Sequence, residues 1–399
     1  MIFRRLTAKV PSLAPMHENG LSFRIDRISA WSLRAPLTAP VVTSFGVMRD
    51  RPAVFVRIEE ASGAVGWGEV FANWPVAGAE HRVHLLMDDL AHIVLGRTWE
   101  SPAEMLLTLE ATTRIRALQC GEPGPFRQVI AGLDIAAWDL VSTRSRVPLS
   151  AVLSDRPAAR VAVYASGIHI ANAAKAIESA RAIGFRGFKV KVGFDSTGEP
   201  QALGDCMNLL QSTETLCADA NQAWSVPDAS AFLSKIAPLG LRWMEEPIAA
   251  DASLADWAEL AKIGVPLAGG ENLAGFADFD TQIGAGHLRY VQPDVCKWGG
   301  VSGNLAVAQQ ALQNGKIYCP HFLGGGIGLF ASAHVLAAAG GAGALEVDVN
   351  ANPLRDLVAS SQAHIADGHW TLSARPGLGH GFRSLPEELE SFVTLHRET

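Results

Sequence analysis

The sequence predicts an α/β protein: a (β/α)-type barrel preceded by an α+β capping unit, to which the end of the chain returns. Two observations support this fold class. From about residue 160 onward, short apolar β-rich runs alternate with helical segments at a spacing of about 25 residues. Before residue 150, strand-like runs come first and helix-period runs follow them. A length of 399 residues also exceeds that of a usual single domain.

The N-terminal unit is predicted over residues 24–150, after a loose tail at 1–23. Apolar runs on both sides of 59–63 are typical of a β-hairpin, and apolar residues at helical spacing predict the helices that follow. The last helix ends before Pro148, which cannot continue it. The predicted elements are strands at 54–58 and 64–70 and helices at roughly 80–95, 101–118 and 126–146.

The barrel is predicted over residues 155–365. A doubly wound sheet usually has fewer strands and ends sooner, so eight β-rich runs favour a barrel. These runs lie at 161–165, 187–192, 215–218, 241–244, 266–268, 288–292, 316–319 and 344–347. Helices are predicted at 171–183, 227–236, 254–263, 301–314 and 327–339. Residues 366–399, with a helix predicted at 386–396, are expected to return to the capping unit.

Composition excludes several classes of protein. Forty acidic against 33 basic residues give a net charge of −7, so the chain lacks the excess of basic residues that binds nucleic acid. No apolar run approaches the length that spans a membrane, and the N-terminus has no continuous apolar signal segment. Five scattered cysteines without a CxxC pair fit a reducing compartment. We therefore expect a cytoplasmic protein with neither nucleic acid nor membrane as a partner.

Polar residues at the predicted strand ends are the main functional signal, because barrel active sites lie where strands end and βα loops begin. One such residue follows each strand from the second to the eighth, at intervals of 28, 26, 26, 23, 27 and 25 residues. Each interval is about one βα unit, so the side chains are predicted to share one rim. They are Lys191, Asp219, Glu245, Glu271, Asp294, His321 and Glu346.

Three consecutive carboxylates in this set, Asp219, Glu245 and Glu271, predict a metal site. Like charges a few ångströms apart cannot all stay ionised unless a cation lies among them. Oxygen ligands without Cys or His, with room left for water and substrate, favour Mg²⁺. The alternative is that each acid caps the helix that follows it.

Lys189 and Lys191 are two residues apart on one strand, so their side chains point to the same face. Inside a barrel mouth, mutual repulsion and desolvation are expected to lower a lysine pKa and make a usable general base. Two surface lysines on an exposed strand are the alternative interpretation.

Asp294 and His321 lie at the ends of adjacent predicted strands. A carboxylate bound to one ring nitrogen fixes the imidazole tautomer and raises its pKa, which suits His321 to acid–base work. The alternative is a structural histidine.

Two other signals have simpler interpretations. Residues 324–328 lack the spacing and the lysine of a phosphate-binding loop, so their glycines are interpreted as giving the backbone space near the rim. Cys319 is interpreted as a core residue.

The ordered set KxK, D, E, E, D and H at these spacings resembles the enolase superfamily, most specifically the mandelate racemase subgroup of its mandelate racemase/muconate lactonizing enzyme-like proteins. The resemblance extends from about residue 24 to 385. It includes the helix segment from Asp134 to Asp139 (DIAAWD) and the closing segment from Pro376 to Gly379. It implies a modified TIM (β/α) barrel, an α+β cap formed by the N-terminal segment and the C-terminal tail, and an essential Mg²⁺.

The resemblance also implies roles for individual residues. The metal ligands would be Asp219, Glu245 and Glu271. Lys191 would be one base and the His321–Asp294 dyad the other. Lys189 would be a fixed charge near the substrate carboxylate, Glu346 would contact that carboxylate, and Glu246 would not bind metal. The remaining substrate-binding candidates are Asn221, beside Asp219, and the two aromatic residues of the family's specificity loops, Phe45 and Trp74; ordinary loop packing is the alternative for these loops.

The reaction implied is removal of the proton α to a carboxylate, with Mg²⁺ and lysine ammonium groups stabilising the enediolate. If C3 carries a hydroxyl, His321 can protonate it as it leaves, so a small-molecule acid sugar becomes a 2-keto-3-deoxy acid. We favour this dehydration by analogy with the subgroup. Without a leaving group, the same site would act as a racemase or epimerase of a 2-hydroxy acid.

Other interpretations remain open at this point. A Schiff-base aldolase using Lys191 is one alternative, but its reaction gives no role to the carboxylates of Asp219, Glu245 and Glu271. An inactive barrel could serve as a binding protein, although the lysine, histidine and acidic residues are all present. The resemblance further implies a homo-oligomer, either a dimer or an octamer.

Overall fold

The structure is a computed structural model that describes residues 20–43, 46–359 and 364–399. Most of the predicted N-terminal tail and the candidate Phe45 lie outside the described residues. Within these ranges, none of the helices could span a lipid bilayer.

The capping unit consists of an antiparallel sheet covered by helices. Strands β3 and β4 form the predicted hairpin, with Val54 opposite Val70. Helix α4 lies so close to β4 that a Cβ on Gly68 would stand 2.0 Å from the carbonyl oxygen of Gly132, which explains a glycine inside a strand. The elements are β1 (Phe23–Arg24), β2 (Arg27–Thr43), β3 (Gly46–Glu59), β4 (Val65–Val70), α1 (Gly78–His84), a π-helical turn (Leu85–Leu90), α2 (Ala91–Val94), β5 (Thr98–Trp99), α3 (Pro102–Gln119), α4 (Pro123–Arg144) and α5 (Leu149–Leu153).

The second unit is a parallel barrel whose eighth strand pairs with its first, which confirms the predicted fold class. Its strands are β6 (Arg160–His169), β7 (Gly187–Lys191), β8 (Thr215–Asp219), β9 (Met244–Glu245), β10 (Leu267–Gly269), β11 (Leu288–Val291), β12 (Ile317–Tyr318) and β13 (Ala344–Asp348). Its helices are α6 (Ala173–Ile183), α7 (Glu199–Asn208), α8 (Val226–Ile236), α9 (Leu254–Ala261), α10 (Phe276–Ala285), α11 (Gly300–Gln313), α12 (Gly326–Ala339) and α13 (Pro353–Ala359), with 3₁₀ turns at Ile170–Asn172 and Ala237–Leu239.

Side chains from the barrel strands fill the interior below the rim. Trp243 is the centre of this layer, with its ring 5.2 Å from that of Tyr164 and 4.8 Å from that of Tyr290. Small neighbours such as Cys217 and Cys319 complete the packing, so Cys319 is a buried core residue as expected. The interior is therefore a packed core and not a pore.

The last part of the chain contacts both units. It contains β14 (Ile365–Ala366), β15 (His369–Thr371), α14 (Glu387–Glu390) and β16 (Val393–Glu398). Strand β15 pairs with the first barrel strand, and β16 pairs with β2 of the cap. The helix predicted at 386–396 is therefore wrong beyond residue 390. Alternate side chains of β16 are exposed, and the free edge of β2 supplies its hydrogen-bond partners.

Two buried carboxylates of the cap bind the first turns of barrel helices. Glu69 accepts hydrogen bonds from the backbone N–H groups of Gly325 and Gly328, the latter at 2.8 Å. Asp134 accepts from the N–H and hydroxyl of Ser302 at 3.0 and 2.7 Å. Helix N-termini leave N–H groups unpaired and attract negative charge, so these contacts join the two units. The glycine segment at 324–328 thus binds an internal carboxylate.

Candidate active site

The strand register places the predicted polar residues on one rim. Lys191, Asp219 and Glu245 are direct neighbours across β7, β8 and β9. Glu271 follows the end of β10, and Glu346 lies near the end of β13. The intervals counted along the sequence therefore correspond to adjacent strand ends of a real barrel.

The two lysines of β7 point to the same face and share a carboxylate. The Nζ atom of Lys191 lies 2.5 Å from Oδ2 of Asp219, and that of Lys189 lies 3.4 Å from the same oxygen. Lys189 is fully buried and also contacts Glu245 at 2.6 Å and Glu346 at 2.8 Å. A buried ammonium group with three carboxylate neighbours is a fixed positive charge at the base of the site.

The expectation of a lowered lysine pKa is wrong in this arrangement. Burial, the largest contribution, lowers the pKa of Lys191, and so does the neighbouring Lys189. The attraction of Asp219, with smaller contributions from Glu245 and Glu271, outweighs both effects and raises the pKa above its ordinary value. The carboxylate on the next strand therefore affects the pKa of Lys191 more than the like charge two residues away.

The predicted contact between His321 and Asp294 is present. Nδ1 of His321 lies 2.7 Å from Oδ2 of Asp294, whose other oxygen accepts from the N–H of Cys296 at 2.8 Å. Nε2 of His321 contacts Glu271. Burial alone lowers the pKa of His321, but Glu271, Glu346 and Asp294 together raise it to about 10, in the predicted direction.

Glu346 is held by two donors that the sequence analysis did not identify. The hydroxyl of Ser166 contacts its Oε1, and that of Tyr164 lies 3.2 Å from its Oε2. Both donors come from β6, the one barrel strand for which no polar end residue was considered. The spacing Tyr164-Ala165-Ser166 was the available signal, since alternate residues of a strand share a face.

A cavity of about 460 Å³ opens above these residues, between the rim and the cap. Lys191, His321 and Glu346 line it, and so do the predicted Asn221 and Trp74. Asn221 accepts a hydrogen bond from Nζ of Lys191 at 2.8 Å and has a φ of +44°, a strained backbone for a residue other than glycine. Trp74 of the cap and Asn221 of the barrel therefore both contribute to the wall of the cavity.

The cavity also contains residues that sequence reasoning missed. Lys297 lies 3.8 Å from Glu271, and besides Asn221 and Asn272 four further carboxamides line the wall: Asn73, Gln128, Gln222 and Asn350. Arg51 is buried and lies 2.6 Å from Asp348. Their partners come from distant elements, so no local pattern identified them.

The chain matches the models of two known domain families. Residues 28–154 match the model of the mandelate racemase/muconate lactonizing enzyme N-terminal domain, and residues 171–384 match the enolase C-terminal domain-like model. The chain is a member of the enolase superfamily.

Relatives of this enolase-superfamily chain have been described in several organisms. It is 31% identical over 304 residues to 3,6-anhydro-α-L-galactonate cycloisomerase of Streptomyces coelicolor, covering 74% of this chain and 82% of the relative. It is 28% identical over 345 residues to arabinonate dehydratase of Saccharolobus solfataricus, covering 83% and 88%.

Solved structures give the same result. The crystal structure of a mandelate racemase/muconate lactonizing enzyme from Bordetella bronchiseptica RB50 has 46% identity and a TM-score of 0.84, covering 90% of this chain and 96% of the other. That of a racemase from Streptomyces coelicolor A3(2) with bound magnesium has 28% identity and a TM-score of 0.80, covering 92% and 99%.

The donor set of this enolase-superfamily member fits a divalent cation, although a ligand cluster is not assembled in the described part of the chain. Lys189, Lys191 and His321 lie against the three predicted ligands and neutralise them. Six carboxylates at the rim nevertheless face only three lysines and one histidine; they are Asp219, Glu245, Glu246, Glu271, Asp294 and Glu346. Burial, and then Asp219, raise the pKa of Glu245 to about 8.

Two features separate the predicted ligand Glu245 from its neighbour Glu246. Oε2 of Glu245 accepts hydrogen bonds from Gln292 at 2.7 Å and from Trp243 at 3.1 Å, which directs the carboxylate into the rim. Glu246 instead accepts two hydrogen bonds from Nδ2 of Asn272, at 3.0 and 2.9 Å.

Proposed function

We propose that this protein removes the proton α to the carboxylate of an acid sugar and eliminates the C3 hydroxyl, giving a 2-keto-3-deoxy acid. The observation that carries the proposal is the presence of Lys191 and His321, from the second and seventh barrel strands, on the wall of one cavity. A base and an acid that reach one substrate from different strands are what an elimination needs.

Lys191 is the proposed base. Its Nζ is held by Asp219 and Asn221 beside the cavity. The group must lose a proton before it can accept one, and the pull of Asp219 opposes that loss. A cation bound by Asp219, Glu245 and Glu271 would weaken this pull by competing for the same carboxylate oxygens.

Positive charge at the base of the site is the second requirement, because proton removal puts a further negative charge on the substrate. Mg²⁺ bound by Asp219, Glu245 and Glu271 would supply most of that charge. Lys189 would add a fixed charge that costs no reorganisation during the reaction. Glu346, fixed by Ser166 and Tyr164, would orient the substrate carboxylate through Lys189, which it contacts at 2.8 Å.

His321 is the proposed acid. Its carboxylate neighbours raise the pKa of His321 to about 10, which favours the protonated imidazole that an acid needs. The electron pair of the enediolate forms the C2–C3 double bond, the C3–O bond breaks, and the hydroxyl leaves as water with the His321 proton. The enol product then tautomerises to the 2-keto acid. The dehydratase relative from Saccharolobus solfataricus supports this outcome.

Racemisation or epimerisation of a 2-hydroxy acid is the second candidate. The Asp294–His321 contact allows neutral His321 to act as a base, and a racemase is among the similar structures. Either reaction begins with α-proton removal, so the two differ in the group at C3.

The decisive experiment is a panel of mono- and diacid sugars, incubated with the protein and MgCl₂ in D₂O. Formation of 2-keto acid is measured together with α-proton exchange. Lys191→Ala and His321→Asn should each abolish dehydration, because base and acid are both needed. One variant can retain exchange, since the remaining group still exchanges the α-proton.

Exposed residues provide matched controls. Lys262→Ala and His84→Asn change side chains that are 71% and 56% exposed, so they should leave turnover unchanged. Full activity in both site variants would refute the assignment. Inversion at C2 without 2-keto acid would favour the racemase, and binding without exchange would indicate an inactive barrel.

A further inference from the structure

The charged residues that line the cavity are already paired. Arg51, the cation of the cap wall, has a side chain only 2% exposed and binds Asp348 at 2.6 Å. The two lysines on the barrel side, Lys191 and Lys297, lie at the predicted metal ligands, 2.5 Å from Asp219 and 3.8 Å from Glu271, at the end of the cavity assigned to the reacting carboxylate. At the cap wall, a second carboxylate on a substrate would therefore lose its hydration and meet an arginine that Asp348 already neutralises.

Four of the six carboxamides that line the cavity, by contrast, have hydrogen-bonding capacity left. Two asparagines are anchored by their nitrogen atoms: Nδ2 of Asn73 donates to the carbonyl of Leu323 at 2.9 Å, and Nδ2 of Asn350 donates to that of Gly167 at 2.9 Å. Their Oδ1 atoms have no hydrogen-bond partner among the described residues, although both side chains line the cavity. Each asparagine thus offers an acceptor.

Two glutamines are anchored instead by their oxygen atoms. Oε1 of Gln128 accepts from Nε and Nη2 of Arg82 at 3.0 and 2.7 Å, and Oε1 of Gln222 accepts from the N–H of Ala250 at 2.8 Å. Within the described ranges, their Nε2 atoms make no hydrogen bond, and both residues line the cavity. Because each anchor fixes the direction of the amide, each glutamine offers a donor.

We propose that the substrate is a polyhydroxy monocarboxylic acid of the aldonic class, whose hydroxylated tail binds the carboxamide wall formed by Asn73, Gln128, Gln222 and Asn350. This inference rests on the proposed function, which places the single carboxylate at the lysine end. A hydroxyl both donates and accepts, so it matches a wall of two donors and two acceptors. An ionised carboxylate only accepts, so it would face the two asparagine oxygens unfavourably.

Pairs of acids that differ only at the terminal carbon test the inference directly. Gluconate is compared with glucarate and galactonate with galactarate, and likewise for the other hexose configurations. Calorimetric titration in MgCl₂ gives Kd for each acid, and kcat/KM is measured where turnover occurs. We expect the preferred aldonate to bind about tenfold or more tightly than its aldarate, and its kcat/KM to be higher by a similar factor. This factor corresponds to the cost of leaving one buried polar group unpaired.

The two hypotheses fail in different ways. Equal or tighter binding of the aldarate overturns the monoacid inference and leaves the proposed function intact if 2-keto acid still forms. Preferential binding of an aldonate without any α-proton exchange upholds the inference and overturns the proposed function. Absence of binding by every aldonate overturns the inference.

Substitutions on the wall give a second readout. Gln222→Leu and Gln128→Leu remove one donor each, and we expect a higher KM for the aldonate with a smaller change in kcat. Glycerate, which lacks the tail, should bind each variant like the parent protein. Gln201→Leu, on the exposed side of α7, is the matched control. An unchanged aldonate-to-aldarate ratio in both wall variants would contradict the assigned role.

Discussion

Replacing Arg51 by leucine should destabilise the protein far more than a surface arginine would. Arg51 lies on β3 of the cap, and its guanidinium binds Asp348 at the end of β13 with both side chains nearly inaccessible to water. Leucine keeps part of the packing volume but leaves the carboxylate of Asp348 buried without its main partner.

The size of the effect follows from the contacts that remain. Breaking a buried ion pair by removing one partner costs about 3–5 kcal/mol. Arg355 stays 3.7 Å from Asp348, and Nδ2 of Asn350 donates to it at 2.8 Å, so part of the lost interaction is retained. We therefore expect a loss of about 3 kcal/mol in the free energy of unfolding, at the low end of that range.

Urea unfolding followed by tryptophan fluorescence measures this loss. Arg116→Leu is the control: its pair with Asp89 is half exposed, and exposed pairs contribute at most about 1 kcal/mol. The double variant Arg51→Leu/Asp348→Leu should be more stable than Arg51→Leu, because no isolated charge is left. If Arg51→Leu costs no more than Arg116→Leu, the buried pair with Asp348 contributes no more to the free energy of unfolding than an exposed pair.

Three further predictions follow from single contacts. Gln292→Leu removes the 2.7 Å hydrogen bond to Glu245 and should weaken Mg²⁺ binding by about ten- to a hundredfold, measured by calorimetric titration of the purified protein. Gly300→Ala should destabilise more than Gly315→Ala in urea titration. Both glycines have positive φ, but only at Gly300 would a Cβ meet the Asp134 carboxylate, at 2.5 Å. Burial raises the pKa of Asp134 from 3.8 to about 7, so its stabilising contribution is complete below pH 3.8 and is lost as the pH rises to 7. The stability difference between parent and Asp134→Asn should shrink over that range, and a growing difference would contradict it.

The rim could be predicted from the sequence because parallel strands end at one edge and their spacing is set by the βα unit. Lys191, Asp219 and Glu245 needed only the count along the chain to be placed together. The same count cannot reveal a contact whose partner lies in another unit. The partner of Arg51 is 297 residues away, and no local pattern indicates it.

Errors arose where a local preference competed with a distant partner. The acidic segment after Pro386 favours a helix, and four helical residues do form, but β2 pairs with the residues from Val393 onward. The pKa of Lys191 was predicted from its neighbour Lys189, yet Asp219 on the next strand has the larger influence. In both cases the deciding interaction depends on tertiary structure.

The hydrogen bonds between helix α4 and the barrel also limit which chimeras of such proteins can fold. Its Asp134 binds Ser302, as does the Nε1 of its Trp138 at 2.7 Å. Its Asp139 binds the N–H of Trp67 in the cap and that of Leu378 in the returning tail, at 2.8 and 2.7 Å. A chimera that joins a foreign cap to this barrel near residue 154 would separate Asp134 and Trp138 from Ser302, and Asp139 from Leu378, whereas the contact between Asp139 and Trp67 lies within the cap. Cap exchange between relatives should succeed only when the first turn of α11 and the 377–380 segment travel with the new cap.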